Sequence, residues 1–422
     1  MRKNKKYKVI VAHPYKQHSF ELAEGLRRKG YLYKYITTVY YKKYNLTFWI
    51  SKLLKGTLKE KAESRQDKRI NNYVIQKSEL LGLIKLLIMR FKCLKKYYNK
   101  FKYYSSDIFA KKVAKYVLKR DIDAIVVYDD TSYIIGKKLK EHNSKTKIIM
   151  DMSAPSLLYL TEIYKKDMQK QKAYAEQLKK ERINALDNNL LMRAKNEINY
   201  ADYFIVASEF SKKSLVYSGV DKNKIFICRY GVDISKFKPS KRNNNNSSKL
   251  NAIFIGGTKE YKGISYLLDA FKILKNENIN LTIVGEISIS EELSRQYKNI
   301  KFVGQVMHSE IATLLQESDF MIFPSLGDGF GLSVTEALAC GCPVICSENA
   351  GASDLIIDYK NGFVIKSQDS QEIVDKIMFF INNRDILEKM RKCARDTVIQ
   401  YSWEEYYKAV GKVLHHILDE EN

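Results

Sequence analysis

Two carboxylates bracket a short glycine turn in the second half of the chain. Asp328 opens the turn Gly329-Phe330-Gly331, Glu336 follows it, and no basic residue lies between them. Glycine lets a ligand approach the backbone closely, and the start of a helix offers unpaired N–H groups to an anion. Carboxylates on either side suit neutral, hydroxyl-rich groups. The stretch therefore predicts a site for phosphates flanked by two sugars, the layout of a nucleotide sugar.

A purely structural interpretation also accounts for Glu336. Ser333 and Glu336 have the spacing of a capping box at a helix start, Gly341 suits the left-handed position after the helix, and Pro343 follows it. This pattern predicts a helix from Ser333, preceded by the buried strand "FMIFPS". Glu336 is thus either a ligand for hydroxyl groups or part of a helix cap.

Positive charge is concentrated in the first half of the chain. The 422 residues carry a net charge of +25, with 53 Lys and Arg against 23 Asp and Glu in residues 1–240, and 20 against 25 in the remainder. A basic half favours polyanions, either nucleic acid or an anionic membrane surface. Six cysteines in a chain of this length, without paired metal spacings, indicate reduced thiols and a cytoplasmic protein.

Short β-branched runs alternate with helical patterns in two series. "KYKVIVAHP", "IDAIVVYD", "TKIIMDMS" and "ADYFIVAS" form the first; "NAIFIGG", "NLTIVGE", "IKFVGQV", "FMIFPS" and "CPVICS" form the second. This rhythm predicts an α/β protein of two doubly wound domains facing a cleft, with ligands beyond the carboxyl ends of the strands. The predicted boundaries are 1–238 for the first domain, 239–250 for a polar linker, 251–400 for the second domain and 401–422 for a terminal helix.

The second half resembles the family 4 glycosyltransferases, which are retaining enzymes of the GT-B fold. Their pattern E-G-F-G-L-x-x-x-E-A-x-A-x-G-x-P-V-I matches Asp328 to Ile345 everywhere except at the first acid. The resemblance is strong over residues 200–420 and thin over 30–190. It implies a GT-B fold whose terminal helix crosses back to the first domain, a nucleotide-sugar donor and no divalent metal or other cofactor.

The resemblance also assigns roles to individual residues. It implies that Glu336 holds the ribose and that Asp328, one methylene shorter than the usual Glu, contacts the donor sugar or supports the departing nucleotide. Lys262 matches a lysine that holds the diphosphate. The arginine that commonly precedes that lysine is replaced by Gly257, so another base must stand in for it, and Lys259 is the nearest candidate along the chain.

His18 lies in "HSFELAEGL", which is similar to the family's first helix, although the glycine-rich loop before it is missing. It is either a group near the donor phosphates or an ordinary surface or helix-start histidine. The predicted catalytic residues are Asp328, Lys262 and His18. The predicted donor-binding residues are Gly257, Lys259, Lys262, Asp328, Gly329, Phe330, Gly331, Leu332, Ser333 and Glu336.

The acceptor side is expected in the basic first domain. Asp129 and Asp130 end a predicted strand and are candidates for an acceptor cleft. Apolar residues recur at helical spacing from Leu80 to Phe101, with Lys85 on the opposite face. Such a helix either lies on the inner face of a membrane or docks onto the sheet. The expected partners are a nucleotide sugar, a glycan or lipid-linked acceptor, and an anionic membrane surface.

Three function classes fit these observations. The first is a glycosyltransferase of surface polysaccharide or glycolipid synthesis. The second is a nucleic-acid- or membrane-binding protein, which the charge and the 30 tyrosines permit, although no nucleic-acid-binding motif is apparent. The third is an inactive scaffold that binds sugar nucleotides, and its support is Asp328 together with the missing arginine.

Overall fold

The computed structural model describes residues 7–15, 18–240 and 249–419. These residues form two parallel sheets. The first has seven strands: β1 (Val9–Ala12), β2 (Leu32–Thr37), β3 (Val74–Gln76), β4 (Ala124–Val127), β5 (Lys147–Met152), β6 (Tyr203–Val206) and β7 (Ile225–Ile227). The second has six: β8 (Leu250–Ile255), β9 (Ile279–Val284), β10 (Ile300–Gly304), β11 (Phe320–Phe323), β12 (Val344–Ser347) and β13 (Gly362–Ile365).

Helices connect successive strands. Ten lie before β8: α1 (Ser19–Arg28), α2 (Leu46–Leu53), α3 (Thr57–Glu63), α4 (Glu79–Arg90), α5 (Tyr98–Leu118), α6 (Ser132–Glu141), α7 (Leu157–Lys170), α8 (Ala175–Glu181), α9 (Asn188–Tyr200) and α10 (Glu209–Tyr217). Those after β8, within the described residues, are α11 (Ile264–Ile273), α12 (Glu291–Arg295), α13 (His308–Glu317), α14 (Leu332–Ala339), α15 (Ser370–Asn382), α16 (Arg384–Ile399) and α17 (Trp403–Asp419).

Both sheets have helices on both faces. Val9 and Val11 of β1 pack into one buried cluster, whereas Ile10 and Ala12 pack into another. Successive side chains of a strand point to opposite faces, so a strand buried on both sides reads as a continuous apolar run. This explains why the nine runs predicted as strands are confirmed. The strands β2, β3, β7 and β13 were not predicted.

The strand orders define where ligands can bind. The first sheet runs β3-β2-β1-β4-β5-β6-β7 and the second β10-β9-β8-β11-β12-β13. The order in which successive strands are added to the sheet reverses between the neighbouring parallel strands β1 and β4, and again between β8 and β11. In doubly wound folds the crevice beyond such a switch point is the ligand site. The glycine turn follows β11, and His18 follows β1, so both lie at switch points.

The terminal helix returns to the first domain, as predicted. Helix α17 packs along α1, where the guanidinium of Arg28 pairs with Glu404 and the phenol of Tyr407 donates to Glu21. The ammonium of Lys147 donates to the carbonyl of Ile417 at 2.7 Å. Of the predicted linker 239–250, residues 241–248 lie outside the described residues.

A helical stretch of the first domain packs on the second domain. We name residues 157–186, which contain α7 and α8, the bridging segment. Its buried residues Leu160, Tyr164 and Leu178 share a core cluster with α11 and the second sheet. Tyr266 of α11 donates a hydrogen bond to Asp167 at 2.7 Å. The two domains are therefore joined beside the cleft as well as through α17.

The helix predicted across Leu80 to Phe101 is wrong in two respects. Helix α4 ends at Arg90 because Phe91 adopts an extended conformation, and a short 3-10 helix leads into α5. Its expected faces are also inverted: Leu87 and Met89 are exposed, whereas Lys85 is buried with its ammonium 3.1 Å from the centre of the Tyr15 ring. Periodicity identified an amphipathic pattern but not the face that meets the sheet.

Replacing Lys85 by Met is expected to stabilise the protein at and below neutral pH. Burial, followed by repulsion from the Lys102 ammonium, lowers the pKa of Lys85 to about 7. A lysine in the unfolded chain titrates near 10.4, so the unfolded state binds more protons and wild-type stability rises as the pH increases from about 7 to 10. The variant should be more stable by up to about 4 kcal/mol at pH 6.5, and the difference should shrink toward pH 10.

Denaturant unfolding of both proteins at several pH values measures this difference. A constant difference between pH 6.5 and 10 would contradict the buried, titrating lysine.

Candidate functional site

The glycine turn is packed between the two domains. A side chain at Gly329 would place its Cβ 2.0 Å from the carbonyl oxygen of Ser153, so only glycine fits there. The hydroxyls of Ser208 and Ser211 donate to the Gly329 carbonyl at 2.7 and 3.1 Å. The ring of Phe330 lies edge-on to that of Tyr230, with the ring centres 5.3 Å apart. The first domain thus holds the turn in place.

Helix α14 begins directly after the turn. Gly331, at φ +86°, occupies the cap position and no side chain caps the helix. The predicted capping box is therefore wrong, because the carboxylate of Glu336 does not reach back to the helix start. The first N–H groups of a helix have no intrahelical partners. Those of Leu332 and Ser333 consequently lie at an uncapped, positively polarised helix end.

Asp328 and Lys262 form an ion pair beside this helix end. The ammonium of Lys262 lies 2.5 Å from Oδ2 of Asp328, and Oδ1 accepts the N–H of Phe330 at 3.1 Å. Both side chains are about one-fifth exposed, at 18% and 20%. Burial alone would raise the pKa of Asp328, but the charge and hydrogen bond of Lys262 outweigh it and lower that pKa. Asp328 is thus a fully engaged carboxylate that fixes the position of Lys262.

The loop that carries Lys262 follows β8. Gly263, at φ +77°, brings this loop against the end of β11, where a Cβ would lie 2.0 Å from the Pro324 carbonyl oxygen. A Cβ at Gly257 would similarly meet the backbone of Glu286 at 2.5 Å. The arginine expected at position 257 would therefore not fit. Lys259 pairs with Glu286 at 2.9 Å, so a diphosphate would have to displace that carboxylate to use it.

Glu336 faces α13 across the helix end. Its Oε1 lies 2.9 Å from Nε2 of His308, and the carboxylate is 15% exposed whereas the imidazole is 63% exposed. The ammonium of Lys236 approaches the other ring nitrogen of His308 at 2.7 Å. Burial raises the pKa of Glu336, and His308 partly opposes this shift. Glu336 is therefore an accessible carboxylate at the cleft and does not stabilise a helix end.

His18 lies inside the cleft. Its Nε2 is 2.9 Å from Oδ2 of Asp151 and 3.1 Å from the phenol of Tyr230, and its side chain is only 8% exposed. Because Tyr230 also contacts Phe330, this histidine is connected to the glycine turn through one tyrosine ring. Its burial does not fit an ordinary surface histidine, whereas the helix-start position does fit, because His18 is the residue that precedes α1. No sequence signal identified Asp151 or Tyr230 as its partners.

A cavity of about 240 Å³ opens beyond β4 and β5 and reaches the bridging segment. Lys102, Asp129, Asp130 and Arg193 contribute to its wall. The Lys102 ammonium lies 2.6 Å from Asp130, and burial followed by the Asp130 charge raises the pKa of Asp129 to about 6. The sequence predicted Asp129 and Asp130 here from their place at a strand end.

Other residues that line this cavity were missed because each comes from a helix with no motif. They are Tyr164, Glu181, Arg182 and Glu197. Within the described residues, no group of three or more His, Cys, Asp or Glu side chains is arranged to hold a metal ion.

Comparisons with known proteins identify the second domain. Residues 235–397 match the family model of the group 1 glycosyl transferases. An uncharacterized glycosyltransferase of Methanocaldococcus jannaschii is 25% identical over 172 residues, which are 40% of this chain and 48% of that protein. The capsular polysaccharide biosynthesis glycosyltransferase CapM of Staphylococcus aureus is 26% identical, over 48% of this chain and 59% of its own length. The chain therefore spans about half the length of the curated relatives it matches.

A solved structure covers nearly the whole chain. The Anabaena protein HepE, solved in complex with UDP, aligns with a TM-score of 0.61 at 16% identity over 97% of this chain and all of that one. At this identity the likeness establishes the fold alone, which is the GT-B fold of two Rossmann-like domains. The match to the family model covers residues 235–397, so the second domain is similar to the group 1 glycosyl transferases, and the architecture of the described chain is that of the GT-B fold.

Proposed function

We propose that the protein transfers a sugar from a nucleotide-sugar donor to a glycan or lipid-linked acceptor, with retention of anomeric configuration and without a divalent metal. The observation that carries this proposal is the convergence of Lys262, Asp328, Glu336 and the uncapped start of α14 at one switch point. Retention and metal independence rest on the resemblance to family 4 enzymes.

The helix start and Lys262 suit a diphosphate. When the bond between the sugar and the diphosphate breaks, its electron pair remains on the leaving oxygen, where negative charge develops. Oriented N–H groups at Leu332 and Ser333 and the Lys262 ammonium are fixed before the reaction and stabilise that charge without reorganising. Asp328, held by Lys262 and the turn, positions this cation.

Glu336 suits the ribose. A carboxylate accepts two hydrogen bonds from neighbouring hydroxyls, and such charge-assisted bonds are short and strong. The Nε2 atom of His308 lies 2.9 Å from Oε1 of this carboxylate. A bound ribose would replace the exposed His308 as the partner of Glu336 and would offer two hydroxyl donors in its place.

The cavity in the first domain suits the acceptor. Its wall offers donors from Lys102 and Arg193 and acceptors from Asp129 and Asp130, which together recognise a neutral hydroxyl-rich group. Its place beyond β4 and β5 faces the glycine turn through Ser153. CapM acts in capsular polysaccharide biosynthesis, and this relative supports a glycan product for the present chain.

A thermal-shift panel tests the donor assignment. UDP, GDP, ADP and CMP, each with its common sugar conjugates, are added in the presence of a chelator. A nucleotide present at 100 times its dissociation constant adds about 2.7 kcal/mol of stability, which is readily detected. UDP is the first candidate because HepE was solved with it. The absence of a thermal shift with every nucleotide in the panel would contradict a nucleotide-sugar site.

The first domain also presents an apolar surface to solvent, which supports contact with a membrane. We name Trp49, Leu53, Leu87, Met89 and Phe91 the apolar patch; all five are more than half exposed, and Leu53 reaches 83%. Helices α2 and α4, which carry most of it, contact each other. No helix in the described part of the chain has the length and apolar character needed to cross a bilayer. The apolar patch and the excess of lysines fit an anionic leaflet.

Serine replacements at Leu53 and Leu87 are expected to weaken vesicle binding at unchanged charge. Burying each leucine in a lipid interface contributes about 1.5–3 kcal/mol when complete, so the double variant should bind at least about tenfold more weakly. Co-sedimentation with vesicles of phosphatidylglycerol and phosphatidylcholine measures this, with pure phosphatidylcholine as the control. Equal binding by wild type and variant, or none by either, would contradict the membrane assignment.

A further inference from the structure

The two lysines on the loop of the proposed donor site, Lys259 and Lys262, are both already paired. A nucleotide sugar carries a negative charge on each phosphate, and another develops as the sugar leaves. Lys262 is matched by Asp328 at 2.5 Å, and Lys259 by Glu286 at 2.9 Å. The donor therefore requires a further positive group close to Lys262.

Arg182, near the end of the bridging segment, lies close to Lys262. Its guanidinium carbon lies 3.5 Å from the centre of the Tyr261 ring, and the Lys262 ammonium lies 5.3 Å from the same ring centre. The two cations thus share one aromatic ring, although they come from different domains. Arg182 also lines the cavity assigned to the acceptor, so it faces the space between donor and acceptor.

Several contacts hold this arginine beside the Lys262 loop. Gln177 donates to the carbonyl of Thr258 at 2.9 Å, and Glu181 accepts the N–H of Tyr261 at 3.3 Å. The other oxygen of Glu181 accepts from Gln177 at 2.8 Å. Both carboxylate oxygens of Glu181 therefore accept hydrogen bonds, one within the bridging segment and one from the Lys262 loop. Leu178 is fully buried and anchors α8 in the core.

The Arg182 side chain is stacked but not hydrogen-bonded at Nε. That atom is buried and has no hydrogen-bond partner among the described residues. A guanidinium presents five donors in a planar fork that matches phosphate oxygens, and a buried donor without a partner is unusual in a folded protein. Burial raises the pKa of Asp328, but Lys262 outweighs it, and the charge of Arg182 makes a smaller contribution that also lowers this pKa.

We propose that Arg182 supplies the second cation for the donor diphosphate and so completes the phosphate site from the opposite domain. This inference rests on the proposed function. It replaces Lys259 in that role. It also makes the donor site complete only while the bridging segment is docked on the second domain.

Binding measurements on Arg182→Met test the inference, because Met retains an apolar stem against Tyr261 and removes the charge. The probes are the diphosphate, the monophosphate and the free nucleoside of the base that stabilises the wild-type protein, with inorganic pyrophosphate as a base-independent probe. Calorimetry should show diphosphate and pyrophosphate affinity lowered by about 10- to 100-fold, consistent with losing one charge-assisted contact. Nucleoside affinity should not change.

Lys179→Met is the matched control. It removes one positive charge at an exposed position of α8, the helix that ends just before Arg182, where Lys179 pairs with Glu176 at 3.8 Å. This variant should bind all four probes as the wild type does. If Arg182 has a merely structural role, Arg182→Met should lower the affinity for all four probes together and lower the melting temperature. That result would overturn the proposal.

Three further outcomes would also overturn it. If Lys259→Met weakens diphosphate binding and Arg182→Met does not, Lys259 supplies the cation. If wild type binds no nucleotide and no pyrophosphate, the proposed function fails together with this inference. Normal diphosphate binding by wild type and Arg182→Met alike would remove the inference and leave the proposed function intact.

Discussion

Replacing Lys262 by Met is expected to lower the rate of donor cleavage by about 10²- to 10³-fold, the usual effect of removing one preorganised group from a developing oxyanion. The ammonium lies 2.5 Å from Asp328, the residue that opens the glycine turn before α14. Steady-state release of nucleoside diphosphate measures the rate. Because Lys262 acts mainly on charge that develops during bond breaking, turnover should fall further than donor affinity.

The same replacement leaves the Asp328 carboxylate without its cation and can destabilise the protein. A lower rate could then reflect lost stability and not a lost catalytic group. The double variant Lys262→Met and Asp328→Asn removes the unpaired carboxylate together with the ammonium. It should recover folding stability but not activity. Recovery of activity in the double variant, or near-normal turnover in Lys262→Met, would contradict the assigned role of the lysine.

Changing Glu336 to Gln is expected to weaken donor binding by about 10- to 100-fold, equivalent to about 1.5–3 kcal/mol for hydrogen bonds to a charged acceptor. The substitution preserves the shape of the side chain. It should not unfold α14, because Glu336 takes no part in capping that helix. Titration calorimetry with the nucleoside diphosphate and with the free nucleoside measures the loss, which both ligands should share because the ribose is common to them.

Glu317→Gln provides the matched control for that experiment. Glu317 is an exposed carboxylate at the far end of α13, the helix that carries His308. Its replacement changes net charge by the same amount and should leave nucleotide affinity unchanged. If Glu336→Gln folds normally and keeps full affinity and turnover, Glu336 does not hold the ribose of a donor.

The strands that meet at the switch points could be predicted because each is buried on both faces. A buried strand shows an uninterrupted run of apolar residues, and Ala124–Val127 and Phe320–Phe323 both do. The orientation of α4 could not be predicted, because an amphipathic pattern does not say which face meets the sheet. There the apolar side faces solvent and Lys85 lies against Tyr15.

Local motifs identified the donor half of the site, but partners that are remote in sequence were not predicted. The glycine turn, Lys262 and Glu336 lie in short stretches whose spacing carries the chemistry, and the structure brings them to one switch point. Arg182 lies 80 positions before Lys262, directly after the end of α8, in a stretch with no motif of its own. Its position depends on the bridging segment packing across the cleft, which is a tertiary contact between residues remote in sequence.

The proposed transferase activity is tested most directly by incubating the purified protein with sugar conjugates of UDP, GDP, ADP and CMP in the presence of a chelator and measuring the nucleotide released. We expect one nucleotide series to be cleaved, slowly with water and faster with a hydroxyl-rich acceptor, and Lys262→Met to abolish most of the signal. Binding without any release would indicate an inactive scaffold. Neither binding nor release, together with stabilisation by RNA or by anionic vesicles, would contradict the account.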